Sequence, residues 1–118
     1  MPELIACLST GKGTWGHVSR IMQDEQWTKI FLITNDYGKE NFTKDEKTEF
    51  IVINSDKGIK ELIAELKGIL KEKVKETEVA VNFVSGTGKE HMALISALLQ
   101  LGVGIRLLAL TKDGIEVI

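Results

Sequence analysis

Val79-Ala80-Val81-Asn82-Phe83-Val84-Ser85-Gly86-Thr87-Gly88-Lys89-Glu90-His91 is the stretch whose reading decides the fold. Its first half is short, rich in β-formers and almost continuously apolar, which is how a strand buried on both faces reads. It runs directly into a glycine-rich loop. Met92–Leu101 follows, apolar on most sides, and predicts a helix buried on two fronts. The same succession stands at the other end of the chain. Leu4–Leu8 runs into Ser9-Thr10-Gly11-Lys12-Gly13-Thr14-Trp15-Gly16-His17, and Trp15, Val18, Ile21 and Met22 then mark a short helix.

Working outward, Ile30–Thr34 and Phe50–Ile53 are two further strand-like runs. Ile59, Leu62, Ile63, Leu66, Ile69, Leu70 and Val74 recur at three- and four-residue steps between Lys and Glu, the pattern of an amphipathic helix with one buried stripe. Asp56 is expected near its first turn, where the helix dipole favours it. Asn35–Glu49 is polar, with Asn35, Asp36 and Gly38 as turn formers. Ile105–Leu110, Thr111-Lys112-Asp113-Gly114 and Ile115–Ile118 read as a hairpin. Strand–helix alternation with buried strands implies a mostly parallel sheet covered on both faces. The expected fold is α/β: a Rossmann-like three-layer sandwich of six strands, near 3–9, 29–34, 49–54, 78–84, 104–110 and 115–118. It ends in an antiparallel β-hairpin, and residues 1–118 form one domain.

Composition narrows the partners. The chain has 118 residues, 43% hydrophobic and 27% charged, with a formal net charge of −2. That balance gives no bulk electrostatic grip on duplex DNA, so no direct duplex binding is expected. The single cysteine, Cys7, forms no intramolecular disulfide and reads as a buried core thiol. Two histidines and no close Cys/His cluster exclude a structural zinc site. No apolar stretch reaches the roughly 18 residues that span a bilayer. No basic stretch precedes an apolar one at the N-terminus. A soluble cytoplasmic protein with no membrane partner is the expectation.

Ligands of open parallel sheets bind outside the carboxyl ends of the strands, where strand order reverses. Leu4–Leu8 and Val79–Val84 are the strands expected to flank that point. In the loops that follow them, Gly11, Gly13, Gly86 and Gly88 let backbone amides approach an anion, and helix N-termini add free N–H groups. Lys12 and Lys89 add charge, while Ser9, Thr10, Thr14, Ser85 and Thr87 add hydroxyls. The pair of loops points to a phosphate or nucleotide site. Read structurally, they are tight turns. Gly11-Lys12-Gly13-Thr14-Trp15-Gly16 matches G-x-G-x-x-G after a strand, with Asn35 or Asp36 where a ribose-binding acid would stand. Lys12 and Trp15 are unusual there, and a separate catalytic domain is not expected. The Walker A pattern fails, because Glu90 follows Gly88-Lys89 and Phe83 holds the earlier glycine position. No serine stands in a nucleophile-elbow context.

Val81-Asn82-Phe83-Val84-Ser85-Gly86-Thr87-Gly88-Lys89, followed by Met92-Ala93 in an apolar helix, resembles the signature of CARF domains, the CRISPR-associated Rossmann-fold sensors of cyclic oligoadenylates. Ser9, Thr10 and Gly11 match the first loop of that family, and a terminal hairpin matches its ending. The loop is one residue longer between Asn82 and Lys89. The resemblance implies a homodimer whose composite pocket holds a two-fold symmetric cyclic oligoadenylate. The Met92–Leu101 helix would supply part of its interface. Effector domains typical of the family are not expected here, and no Arg-x4–6-His ribonuclease motif occurs.

A stand-alone domain of this kind implies either a metal-independent ring nuclease or a module that binds the messenger. Cleavage by the ribose 2′-hydroxyl gives a 2′,3′-cyclic phosphate and uses no cofactor. Lys89 and Lys12 would then stabilise phosphorane charge. Ser9, Thr10 and Ser85 would orient oxygens, and His17 and His91 would serve acid–base roles. Trp15 either stacks on adenine or anchors its helix. Asn82, at the strand end, belongs to the same ligand set, with Gly11, Gly13, Thr14, Gly86, Thr87 and Gly88. Two other readings stand beside this one. The first is a Rossmann-like module for another nucleotide, NAD or a phosphorylated metabolite. The second is a protein–protein module in which the loops are only turns.

Overall fold

The computed structural model of the chain describes residues 2–8, 12–24 and 26–118. Strand β1 (Glu3–Cys7) is followed by a 3-10 turn at Lys12–Thr14 and helix α1 (Trp15–Met22). Then come β2 (Lys29–Thr34), α2 (Asp36–Asn41), β3 (Thr48–Val52) and α3 (Ile59–Lys73). Next are β4 (Glu78–Asn82), α4 (Gly88–Gln100), β5 (Gly104–Thr111) and β6 (Gly114–Val117). The sheet order is β3-β2-β1-β4-β5-β6. The first five strands pair in parallel, and β6 runs antiparallel to β5 through Leu108↔Val117 and Leu110↔Ile115. The expected α/β sandwich with a terminal hairpin is the fold observed.

Side-chain alternation along the strands feeds two cores. Ile5, Cys7, Phe31, Ile33, Val79 and Val81 pack on one face with Leu62, Leu66 and Leu70 of α3 and Ala93, Leu94, Ala97 and Leu98 of α4. Leu4, Ala6, Leu8, Ile30, Leu32 and Ala80 pack on the other with Val18, Ile21 and Met22 of α1. Because both faces of β1, β2 and β4 are covered, these strands read as continuous apolar runs.

Four expectations are corrected. Helix α4 begins at Gly88 and covers the sheet on one side only: Met92 and Leu99 are 64% and 65% exposed. Burial on two fronts is therefore not its state in the single chain. Asp56 precedes the Gly58 N-cap of α3, so the acid in the first turn is Glu61. The polar segment after β2 contains α2, started by Asn35, whose side chain accepts the Gly38 N–H at 2.9 Å. Gly38 packs so closely on Thr34 that a Cβ would overlap the Thr34 side chain. Strand β4 also stops at Asn82, so Phe83 and Val84 belong to the loop.

Candidate functional site

Strands β1 and β4 lie side by side, with Leu4↔Ala80 and Ala6↔Asn82 in register. Their following loops therefore leave the same edge of the sheet, at the point where strand order reverses. Ser9, Thr10 and Gly11 lie outside the described residues, and so does the side chain of Lys12. The remaining candidates have defined places.

The two helix starts, alike in sequence, differ in electrostatics. At α1, Thr14 holds the N-cap position without any side-chain capping bond, and no acid stands in the first turn. Thr14 Oγ1 is buried with no hydrogen-bond partner among the described residues. A helix start of this kind leaves the positive end of its dipole without an acidic side chain beside it. Gly13 is exposed, with nothing of the described residues within 4 Å of a Cβ position. The same is true of Gly16, inside α1. Gly16 therefore does not serve the close helix–strand packing that the third glycine serves in dinucleotide folds.

At α4 the chain fills its own cap. Glu90 Oε1 accepts the Thr87 N–H at 2.8 Å, and Thr87 Oγ1 accepts the Glu90 N–H at 3.2 Å. Glu90 is buried, so a carboxylate already occupies the neighbourhood an anion would seek. The Thr87-Gly88-Lys89-Glu90 spacing is itself a capping-box signature. Gly86 has φ +101°, and a Cβ there would lie 2.9 Å from Cys7 Cβ and 3.0 Å from His91 Nε2. Its glycine identity is set by packing within the chain. Ser85 is buried, and its carbonyl accepts the His91 Nε2 hydrogen at 2.8 Å. The His91 ring lies 4.7 Å from that of Phe83. Lys89 Nζ donates to the Ser55 carbonyl at 2.7 Å, which ties the second loop to the turn before α3. Gly88, exposed, opens α4.

His17 and Asn82 meet below the loops. Asn82 Nδ2 donates to the Leu108 carbonyl at 2.8 Å and lies 3.4 Å from His17 Nε2, while Asn82 Oδ1 accepts the Val84 N–H at 3.3 Å. His17 Nε2 accepts the Leu110 N–H at 3.2 Å. Accepting there requires a lone pair on Nε2, so the ring proton sits on Nδ1. These contacts fall where β4 and β5 stop pairing, after Val81↔Leu107. The two side chains extend the ladder that the backbone abandons, and they join α1 and β4 to the hairpin.

Trp15 packs against Tyr37 and Phe42, with ring centroids 6.1 Å and 5.6 Å away, so it joins α1 to α2. Trp27 was not singled out from sequence, yet it is buried and its Nε1–H donates to the Ile21 carbonyl at 2.7 Å, closing the end of α1. The Cys7 thiol is pushed well above its ordinary range by burial, and the nearby Glu90 charge adds to that shift. A thiol so placed is a packing group and no nucleophile. Among the described residues no three His, Cys, Asp or Glu side chains are grouped to hold a metal. No helix of the described residues is long and apolar enough to cross a membrane. No protein-family model matches the chain, and no curated protein matches it significantly.

Proposed function

We propose that this chain binds the phosphates of a cyclic oligoadenylate at the switch point between β1 and β4, as a CARF-like cytoplasmic sensor module acting as a two-fold dimer. The observation that carries this reading is the start of α1. It follows a glycine-rich loop and has neither a capping side chain nor an acid, and it leaves the Thr14 hydroxyl unpartnered among the described residues. Such a start is an anion site in general terms. The self-capped start of α4 makes the first loop the phosphate-bearing half and the second loop the frame beside it. Exposed Met92 and Leu99 on α4 supply an apolar face for the second copy. Ring cleavage is the further step of the same proposal, by in-line attack of a ribose 2′-hydroxyl, with Lys12 and Lys89 as the charge-stabilising groups.

Incubation with cyclic tetra- and hexa-adenylate, followed by chromatography and a binding titration, tests the reading. Binding at one ring per two chains supports it, and 2′,3′-cyclic phosphate products support the cleavage step. Failure to bind or cleave either ring overturns it. Lys89→Ala is expected to slow any cleavage at least tenfold, because Lys89 would lose both its charge and the Ser55 tie; an unchanged rate removes Lys89 from the chemistry.

A further inference from the structure

Past the Val81↔Leu107 pair, β5 runs on to Thr111 without β4 beside it. Backbone groups alternate in direction along a strand, so those of Leu108 and Leu110 that face away from β6 have no strand to meet. Side chains take its place. The Leu108 carbonyl accepts from Asn82 Nδ2 at 2.8 Å, and the Leu110 N–H donates to His17 Nε2 at 3.2 Å. Asn82 Nδ2 also lies 3.4 Å from His17 Nε2. The orientation of the Asn82 amide is fixed from both ends, since its Oδ1 accepts the Val84 N–H at 3.3 Å. His17 Nε2 therefore faces two N–H donors.

A ring nitrogen accepts a hydrogen bond with its one lone pair, and an added proton takes that same pair. Protonation of His17 would point an Nε2–H at the N–H groups of Leu110 and Asn82. The Leu110 bond and the charged ring exclude each other. The other histidine is built the opposite way. His91 Nε2 gives its hydrogen to the Ser85 carbonyl, a bond that a second proton on Nδ1 leaves in place. The charges near His17 do not offset this. No Asp, Glu, Lys or Arg lines the gap that His17 shares with Asn82, Phe83 and Leu108. On α1, Arg20 is exposed one turn further on. Glu78 of β4 and Arg106 of β5 bridge each other at 2.8 Å, toward the start of those strands. Glu116 of β6 pairs with Ala109, so alternation puts it on the sheet face opposite to Leu110. Lys112 and Asp113 are exposed in the hairpin turn. No carboxylate among the described residues forms an ion pair with the His17 ring.

We infer that His17 is a pH-sensitive latch: its neutral ring fastens the outer half of the β5–β6 hairpin to α1, and protonation releases it. The fastened state binds one proton fewer than the released state, so acid favours release. Histidine is the side chain that ordinarily changes charge between about pH 5 and 8. Once the free ring is charged, the released hairpin gains about tenfold in population for each further pH unit of acidification. What the latch covers is apolar. Leu108 is buried, and Leu110 and Ile115 pack against the core beneath α1. Release uncovers that part of the core and leaves the pairing of β1 with β2 untouched. The latch operates whether or not the chain binds a nucleotide.

The test is amide hydrogen exchange on the isotopically labelled chain, read by nuclear magnetic resonance at about pH 7.5 and about pH 5, on either side of histidine's ordinary range. Rates are corrected for the intrinsic exchange rate at each pH. The Leu110 amide should lose protection at least tenfold at the lower pH, while amides of β1 and β2 keep theirs. Ring nitrogen shifts should show His17 with its hydrogen on Nδ1 at the higher pH, and charged where Leu110 loses protection. His17→Gln offers an amide oxygen to the Leu110 N–H and does not titrate, so in that variant Leu110 protection should no longer depend on pH. Constant Leu110 protection in the wild-type chain overturns the latch, whether or not the ring becomes charged. A loss shared equally by β1 and β2 also overturns it, as does a loss that His17→Gln retains. The wild-type comparison decides by itself should that variant not fold.

Discussion

Gly86 and Cys7 touch across the base of the second loop, and each carries a residue-level prediction. A side chain at Gly86 would have to adopt φ +101° and would crowd Cys7, Glu90 and His91. Left-handed backbone costs a non-glycine residue about 1–2 kcal/mol, and the close contacts add to that. Gly86→Ala is therefore expected to lower unfolding free energy by about 2–3 kcal/mol, read from urea denaturation; a loss below about 0.5 kcal/mol would show that the loop relaxes freely. Cys7 is fully buried, and its thiol is held above its ordinary range, so the thiolate fraction is low at and below that range. A thiol reagent at pH 8 should leave it unmodified in the native chain and label it fully in denaturant. Rapid native labelling would contradict the burial. Cys7 was legible in the sequence because it interrupts nothing in Leu4–Leu8. Gly86 was legible as a residue of consequence but for a different reason: ligand approach was expected, and contact with Cys7 across the core depends on a tertiary neighbour that no local pattern encodes.

The same division appears among the elements. Strands β1, β2 and β4 and helix α3 were plain in the sequence because continuous apolar runs and a 3.6-residue stripe are consequences of burial. Helix α2 was not, since its six residues bury only Gly38 and carry no stripe. The hairpin was readable, but its attachment was not. Asn82 was singled out as a ligand residue and His17 as an acid–base group, yet both hold backbone groups of β5. This gives an element-scale prediction. Asn82→Leu leaves the Leu108 carbonyl without its side-chain donor and the Val84 N–H without its acceptor, at an expected cost of about 2 kcal/mol. His17→Phe removes the Leu110 acceptor. Its effect should be local: amide exchange at Leu110 and across β6 accelerates at least tenfold, while amides of β1 and β2 keep their protection. Uniform acceleration throughout the chain would show that the hairpin does not open on its own.

At the scale of the whole molecule, the open question is what meets the outer face of α4. Met92, Ile95 and Leu99 lie along it with His91, Ser96 and Gln100, and no Asp, Glu, Lys or Arg lines the shallow groove there. A face without acidic, lysine or arginine side chains suits a second identical copy, because two-fold pairing brings no such like charges together. Two thirds of each Met92 and Leu99 side chain is available for burial, roughly 1–2 kcal/mol apiece, or about 4–8 kcal/mol for the four in a dimer. Association costs an estimated 4–15 kcal/mol, so this face alone gives at best a weak dimer. A ligand that touches both copies would strengthen it by mass action, and a two-fold symmetric ring is such a ligand. Sedimentation should therefore show a concentration-dependent monomer–dimer equilibrium that cyclic tetra-adenylate drives to dimer. Met92→Glu should hold the chain monomeric with its circular dichroism unchanged, and should weaken ring binding at least tenfold while sparing the phosphate response at α1. A monomer that binds one ring per chain would refute the composite pocket, and the exposed face of α4 would then have to serve a different partner.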